Sequence, residues 1–267
     1  MKQVFIGVTV RSGTTILANI LEQHPEIYKT PKELRFITDP DGVIDLKRNL
    51  TDNWSPYTVD FAIDRFINLL KRVFNKKLGT YPLFGLSKLT NFYNVDEWIN
   101  SYIDNLDVIT YKGTWYGRRN IVNYLLLRFL GKNQLTSFFI NDNYYAPPLK
   151  EEVFCEITRT FLDQFFQAIT SFNKETCILD HTPTNILHAH ELLKIFPDAK
   201  IIHIKRDPRD VIASYARQTW GSKNMIDNLE FVKGIYDRWK IIKQNLPDKN
   251  IMEFKFEDFI KHNKEIL

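Results

Sequence analysis

The chain has 267 residues, of which 44% are hydrophobic and 25% are charged, proportions that predict a folded globular protein and exclude a disordered one. The formal net charge of +4 is mild, so it suits a small anionic ligand, and we predict no nucleic-acid partner. The two cysteines, Cys155 and Cys177, cannot build a disulfide framework or a metal site, and we expect both to be buried thiols.

The first residues of the sequence and its longest apolar run indicate where in the cell to expect the protein. An apolar strand pattern begins almost at the first residue, which leaves no room for a signal peptide. The run at 124–130 (YLLLRFL) contains Arg128 and is too short to span a bilayer. We therefore expect a cytoplasmic protein without a transmembrane segment.

The first half of the chain opens with strand and helix patterns. Residues 3–10 (QVFIGVTV) predict a buried strand, and residues 14–23 predict a helix that ends at the following His-Pro pair. Residues 58–77 carry the apolar spacing of a second, amphipathic helix. Residues 81–175 are aromatic and helix-rich, and we interpret them as an insertion that binds the acceptor. Some of its aromatic residues could stack on sugars or pack in the core: Trp98, Tyr111, Trp115, Tyr116, Tyr144 and Tyr145.

The last third of the chain alternates between strand and helix patterns. Strands are predicted at 176–180, 199–205 and 250–256, and helices at 184–196, 208–220 and 229–245. This alternation is typical of the α/β class, with a parallel sheet flanked by helices. We predict one domain over 1–267, P-loop-like, with 81–175 as a helical insertion.

Residues 11–15 (RSGTT) join the first predicted strand to the first helix. A helix N-terminus attracts anions, and Gly13 lets the backbone approach a ligand closely. A Walker loop would have lysine where Thr14 stands, so binding of ATP with Mg²⁺ is disfavoured. Arg11 supplies a fixed positive charge instead, and Thr15 adds a hydroxyl. The alternative is an ordinary glycine-containing turn.

A second strand-to-helix junction lies at 201–215 (IIHIKRDPRDVIASY). Arg206 ends the strand and can bind a phosphate with two hydrogen bonds, while Ser214 adds a hydroxyl from the helix. We expect Arg209 and Asp210 to pair locally at the helix terminus. The alternative is a capped helix with surface charges. Two such junctions together favour a ligand with two separated anionic groups.

The two motifs together resemble the sulfotransferase family, whose members use 3′-phosphoadenosine 5′-phosphosulfate (PAPS) as sulfuryl donor and need no metal. In that family the first loop holds the 5′-phosphosulfate, and the arginine and serine of the second motif hold the 3′-phosphate. The resemblance implies that the cofactor-binding residues are Arg11, Ser12, Gly13, Thr14, Thr15, Arg206 and Ser214.

Three further segments are similar to the family. Residues 24–36 resemble the turn that delivers a glutamate, residues 180–185 (DHTPTN) resemble a Thr-Pro segment, and residues 254–259 (FKFEDF) resemble the last strand and its ending. The resemblance covers about the first 40 and the last 90 residues. His181 stands where the family usually has lysine.

Sulfuryl transfer, like phosphoryl transfer, needs positioned charge and a general base. The resemblance implies that Arg11 stabilises the leaving phosphate and that Glu33 is the base, the alternative being a solvated loop carboxylate. His181 is the second candidate for the base, since an imidazole has a suitable pKa, and its alternative is an orienting or structural role. We also consider Lys205 as a cofactor contact and expect Trp239 to pack in the core.

The resemblance implies a PAPS-dependent sulfotransferase that acts on a hydroxyl or amine of a glycan, lipid, metabolite or tyrosine. The acceptor and the oligomeric state are not specified by the sequence. Two alternatives remain: an atypical P-loop kinase, and a catalytically silent nucleotide-binding protein of the same fold.

Overall fold

The structure is a computed structural model that describes residues 1–9, 11–74, 94–113, 141–170 and 176–261. Its strands are β1 Lys2–Val8, β2 Ile27–Lys29, β3 Ile109–Gly113, β4 Asn141–Tyr145, β5 Cys177–Asp180, β6 Lys200–Lys205 and β7 Ile251–Lys255. Its α-helices are α1 Thr14–Leu21, α2 Arg35–Thr38, α3 Val43–Leu50, α4 Pro56–Phe74, α5 Val95–Asn105, α6 Glu151–Thr170, α7 Ala189–Ile195, α8 Pro208–Ala216, α9 Met225–Lys243 and α10 Phe256–Lys261. Two 3₁₀ helices cover Pro183–His188 and Asp248–Asn250.

A parallel sheet with the strand order β2-β5-β1-β6-β7 is the centre of the fold. β1 pairs with β5 on one side, where Phe5 lies opposite Asp180, and with β6 on the other, where Val8 lies opposite Ile204. All pairings in this sheet are parallel, so the carboxyl ends of the strands meet at one edge. The residues that follow each strand are thereby gathered at that edge.

The crevice between β1 and β6 is a topological switch point. After β1 the chain runs through α1 toward β2 on one side, and after β6 it runs through α8 and α9 to β7 on the other. The two outgoing connections therefore diverge and leave a gap above the strand ends. Ligands of open α/β sheets bind in such gaps.

Side chains of β1 alternate between two apolar clusters, as the two faces of a strand require. Phe5 joins the larger cluster, to which helices α2–α6 all contribute. Ile6 and Val8 join the smaller cluster, together with Leu17 of α1 and Phe256 of α10. Because both faces are covered, β1 has the continuous apolar sequence of a buried parallel strand.

The predicted parallel sheet flanked by helices is confirmed. The predicted strands agree with the structure to within a few residues. The predicted helix at 184–196 begins as the 3₁₀ helix Pro183–His188. The predicted helix at 208–220 ends earlier, at Ala216. The short β2 and helices α2, α3 and α10 were not predicted.

The described parts of the predicted insertion contain α5, α6 and the antiparallel pair β3–β4, so they are less uniformly helical than expected. Trp98 is buried in the core, whereas Tyr111 and Tyr145 are exposed. Trp115, Tyr116 and the apolar run at 124–130 lie outside the described residues. The single-domain prediction, with 81–175 as an insertion, stays a prediction. None of the helices in the described part of the chain has both the length and the apolar composition needed to cross a bilayer.

Candidate active site

The β1–α1 loop is held in an unusual backbone conformation. Arg11 has φ +70° and Gly13 has φ +96°. A side chain at Gly13 would overlap the ring of Phe256, so this position needs a glycine for space as well as for conformation. Ser12 is buried, and its hydroxyl donates to the carbonyl oxygen of Thr9 at 2.6 Å, which closes the turn. Strained non-glycine backbone of this kind clusters at functional sites.

The β6–α8 junction is a capped helix start. The Asp207 carboxylate accepts the backbone N–H of Arg209 at 2.9 Å, and Pro208 occupies the first turn. The Arg209 side chain also pairs with Asp207, at 2.6 Å. Asp210 lies instead 3.7 Å from Arg206, so the expected Arg209–Asp210 pair is corrected to Arg209–Asp207.

The structure brings the two sequence motifs into direct contact. Arg206 donates from Nη1 to the carbonyl oxygen of Arg11 at 3.0 Å, and Arg11 donates from Nε to Ser214 Oγ at 3.1 Å. Arg206 Nε is buried and has no hydrogen-bond partner within the described residues. Two arginines and a hydroxyl thus converge at the switch point, together with a buried N–H donor that is not yet used. Such a group of donors has the chemistry to bind an anion.

Two aromatic residues that the sequence analysis did not select support this cluster. The Arg206 guanidinium lies 5.0 Å from the ring centroid of Phe256, within cation–π range, and the same ring packs against Gly13. The Tyr236 hydroxyl donates to the carbonyl oxygen of Arg206 at 3.0 Å and receives a hydrogen bond from Thr9 Oγ1 at 3.4 Å. Phe256 and Tyr236 therefore contact both motifs and hold them in place.

A second group of titratable residues lies at the ends of β2 and β5. Asp180, the last residue of β5, is fully buried. Its carboxylate accepts the backbone N–H of Leu34 at 3.0 Å, the Thr182 hydroxyl at 2.9 Å and Asn185 Nδ2 at 2.8 Å. Asn185 Nδ2 also donates to the carbonyl oxygen of Ile6 at 3.2 Å. This network joins the segment after β2 to the strand that carries the anion loop.

Glu33 lies next to this network, and a third of its side chain is exposed. Burial raises the pKa of Glu33 above its ordinary value, and the like charges of Asp180 and Asp39 raise it further, whereas Arg35, at 3.4 Å, opposes them. A carboxyl group with a raised pKa that remains accessible has the properties of a general base.

His181 follows Asp180 directly. Burial lowers the pKa of His181 below its ordinary value, Asp180 opposes this effect, and Lys29 adds to it. Burial thus favours the neutral imidazole, whose buried Nδ1 has no hydrogen-bond partner in the described part of the chain. A neutral imidazole can accept a proton, so His181 also fits the chemistry of a base.

The remaining predicted residues have plainer surroundings. Lys205 forms an ion pair with Glu253, which also accepts Lys243 Nζ at 2.8 Å and Trp239 Nε1 at 2.9 Å. Trp239 is buried, as expected. Both cysteines are buried too. Thr14 and Thr15 begin α1 and are at least partly accessible. Within the described ranges, no group of His, Cys, Asp and Glu side chains could hold a metal ion.

Three solved structures that are similar to this chain are sulfotransferases or sulfotransferase domains. One is a sulfotransferase from Alicyclobacillus acidocaldarius, with 14% identity, a TM-score of 0.43 and coverage of 100% of this chain and 77% of that one. Another is the sulfotransferase domain of the curacin biosynthetic pathway, with 14% identity, a TM-score of 0.46 and coverage of 100% and 71%. A third is the sulfotransferase domain of the Synechococcus PCC 7002 olefin synthase, with 16% identity, a TM-score of 0.45 and coverage of 99% and 70%.

A search of curated proteins found no match. The model of the sulfotransferase family, by contrast, matches residues 126–267, more than half of the chain. The matched range contains Asp180, Thr182 and Asn185, the Arg206–Ser214 junction and Phe256. The chain belongs to the sulfotransferase family.

Proposed function

We propose that this protein transfers a sulfuryl group from PAPS to a hydroxyl or amine of an acceptor, such as a glycan, lipid, metabolite or tyrosine. The observation that carries the proposal is the contact between Arg11, Arg206 and Ser214 at the switch point. A donor with two separated phosphate groups matches two adjoining strand-to-helix anion sites.

The residues present fit such a donor. Arg206 and Ser214 bind the 3′-phosphate, and the buried Arg206 Nε is a donor that an added anion satisfies. The N-terminus of α1, together with Ser12, Gly13, Thr14 and Thr15, binds the 5′-phosphosulfate. When bound, PAPS supplies an activated sulfuryl group. The contacts between the two motifs keep the two anion sites at a fixed separation.

Charge and proton transfer are then divided between different residues. Arg11 lies at the junction of both anion sites and stabilises the negative charge that develops on the leaving phosphate. Glu33 accepts the proton of the acceptor hydroxyl, and His181 is the alternative base. The fixed charge of Arg11 and the N-terminus of α1 take the part that a divalent cation plays in kinases, so we expect full activity in excess EDTA.

A ligand that binds only the folded protein raises its unfolding temperature, so thermal unfolding tests the donor site. We expect 3′,5′-ADP to stabilise the protein far more than 5′-AMP or ATP with Mg²⁺. Labelled PAPS and an acceptor library, with and without EDTA, then test the transfer. Equal stabilisation by the three nucleotides would refute the two-site assignment, and a strict Mg²⁺ requirement would favour the kinase alternative. Binding of 3′,5′-ADP without any transfer would favour the silent nucleotide-binding protein.

A further inference from the structure

Asp180 is a charged group in a place where charge is costly. Its side chain is fully buried, and it lies at the end of β5, directly beside β1 in the sheet. An ionised carboxylate in such a position is stable only with several hydrogen bonds. It has three, from Leu34, Thr182 and Asn185, each 3.0 Å or shorter. Replacing Asp180 by an apolar residue would leave all three buried donors without an acceptor.

The three donors come from different parts of the site. Leu34 belongs to the segment that follows β2, and its N–H is adjacent in the chain to Glu33. Thr182 and Asn185 belong to the segment that follows β5. Asn185 also donates to the carbonyl oxygen of Ile6, on the strand that leads into the anion loop. Asp180 and Asn185 thus connect two parts of the site by hydrogen bonds. One is the segment of Glu33, here called the acceptor side, and the other is β1 with the loop proposed to bind PAPS, here called the donor side.

The backbone of the Glu33 segment has few other fixed points. Pro31 and Lys32 are exposed, and Thr30 makes the last sheet-like contact, from its N–H to the Leu179 carbonyl oxygen at 2.9 Å. The Leu34–Asp180 hydrogen bond is the next anchor along the chain. Together with the Leu34 side chain, which is fully buried in the larger apolar cluster, it fixes where the turn at 31–33 lies relative to the sheet edge.

We propose that Asp180 is a positioning residue, which fixes the backbone beside Glu33 against β5 and β1 so that the general base stays in register with the anion loop. The proposal rests on the proposed function, because it takes Glu33 as the base. Asp180 itself need not touch the acceptor or the donor. Its effect reaches the reaction through the Leu34 N–H and through Asn185.

The electrostatics support the same role. The charged groups that face Glu33 are Arg35, Asp39 and Asp180, and the two carboxylates raise the pKa of Glu33 while Arg35 lowers it. Removing the Asp180 charge should therefore lower the pKa of Glu33. This change of pKa reports how close the Asp180 charge lies to Glu33, and the change of kcat reports the positioning role.

The test compares Asp180→Asn with Asp60→Asn. The amide introduced by Asp180→Asn keeps an oxygen for the Leu34 N–H but sets an N–H donor against Asn185. We expect kcat to fall about 10²-fold, the cost of a small misplacement of a catalytic group, with 3′,5′-ADP affinity unchanged. In the nucleotide-free protein, carboxyl ¹³C NMR should report a lower pKa for Glu33. Asp60, on α4, is the matched control, since it is similarly buried and its carboxylate accepts the backbone N–H of Tyr144 at 2.7 Å. The Asp60→Asn variant should leave kcat and the Glu33 pKa unchanged.

A second variant keeps the proposal testable if Asp180→Asn does not fold. Thr182→Val removes one donor and keeps the charge, so we expect kcat to fall about tenfold, the lower end of what one hydrogen bond to a charged group is worth, without a decrease in the Glu33 pKa. An unchanged kcat in both variants, or an unchanged Glu33 pKa in Asp180→Asn, would overturn the proposal. If the wild type transfers no sulfuryl group at all, the proposed function fails, and the NMR titration still decides whether Asp180 controls Glu33.

Discussion

The two sides of the site use charge in opposite ways. On the donor side, Arg11 is exposed, and it meets Arg206 and Ser214 at the open edge of the sheet through direct hydrogen bonds. On the acceptor side, Asp180 is fully buried. Burial also raises the pKa of Glu33 and lowers the pKa of His181, so it favours the neutral form of both side chains. Binding a polyanion requires permanent charge, whereas proton transfer requires groups that can change charge near neutral pH. The comparison separates the residues proposed to bind the donor from those proposed to react.

A substitution of the proposed base on the acceptor side tests this comparison most directly. We expect Glu33→Gln to lower kcat about 10²-fold or more, because Gln keeps the shape of the side chain but cannot accept the proton. The affinity for 3′,5′-ADP should stay unchanged, since Glu33 is not part of the donor cluster. Steady-state transfer assays and nucleotide-binding isotherms measure the two quantities separately.

His181→Ala is the control for the choice of base. If it abolishes turnover with nucleotide binding intact while Glu33→Gln stays active, the base is His181 and the first assignment is wrong. If both variants lose only acceptor turnover, the acceptor side is functionally separate from the donor side, as the comparison requires.

The donor side is tested by Arg206→Ala. The loss of one charged hydrogen bond costs about 1.5–3 kcal/mol, so the preference for 3′,5′-ADP over 5′-AMP should fall by about one to two orders of magnitude. Titration calorimetry with both nucleotides measures this preference. Arg209→Ala is the matched control, because Arg209 is exposed and its side chain bonds to Asp207. A variant of Arg209 that lost the same preference would show that charge near α8 matters, and not the position of Arg206.

A smaller effect should follow from the support beneath the donor side. Tyr236→Phe removes the hydroxyl that donates to the Arg206 carbonyl oxygen and leaves the ring in place. The loss of about 1 kcal/mol should weaken 3′,5′-ADP binding about fivefold, with kcat at saturating donor nearly unchanged. A fall in kcat without a change in affinity would instead link Tyr236 to the acceptor side.

The smallest predicted effect concerns stability against pH. The pKa of Glu33 is raised in the folded state, so the folded protein holds this proton more tightly than the unfolded chain, and stability falls as pH rises through the folded pKa. The Glu33→Gln variant has no carboxyl group to ionise at this position, so its stability does not fall in this way. We therefore expect the variant to unfold at a higher temperature than the wild type at pH 7 and at the same temperature below the ordinary glutamate pKa.

Glu191→Gln is the control of opposite sign. Although burial raises the pKa of Glu191, hydrogen bonds from its own N–H and from Arg48 hold that pKa below the ordinary value. Its ionised form therefore stabilises the protein above the unfolded pKa, and the stability is lost as pH falls. The Gln variant should unfold at a lower temperature at pH 7, and the difference should vanish in acid. Thermal unfolding scans across pH measure both variants.

The sequence was sufficient for the parts of the fold that repeat a local pattern. β1 and β6 are continuous apolar runs, and Arg206 and Arg11 stand at strand-to-helix junctions, where anion sites are expected. β2 has only three residues, and β3 and β4 expose most of their side chains, so no apolar period marks them. Periodicity arguments cannot detect such elements.

The supporting residues of the site were missed for a different reason. Asp180, Tyr236 and Phe256 act through contacts with residues that are distant in the chain, such as Leu34, Thr9 and Gly13. Their local sequence is that of an ordinary strand end or helix. The DHTP segment was the one available signal for Asp180, and it directed attention to His181 instead.

The position of β1 at the centre of the sheet also sets the order in which the protein can assemble. β1 is made long before its partners β5 and β6, which lie after residue 176, and β2 must wait for β5 as well. On the ribosome, the apolar β1 strand therefore emerges long before either neighbour exists. Such remote pairing slows folding and prolongs the exposure of an aggregation-prone segment. The loop between β1 and α1 also contacts Arg206, Ser214 and Phe256, so it cannot take its final shape until residue 256 has been made.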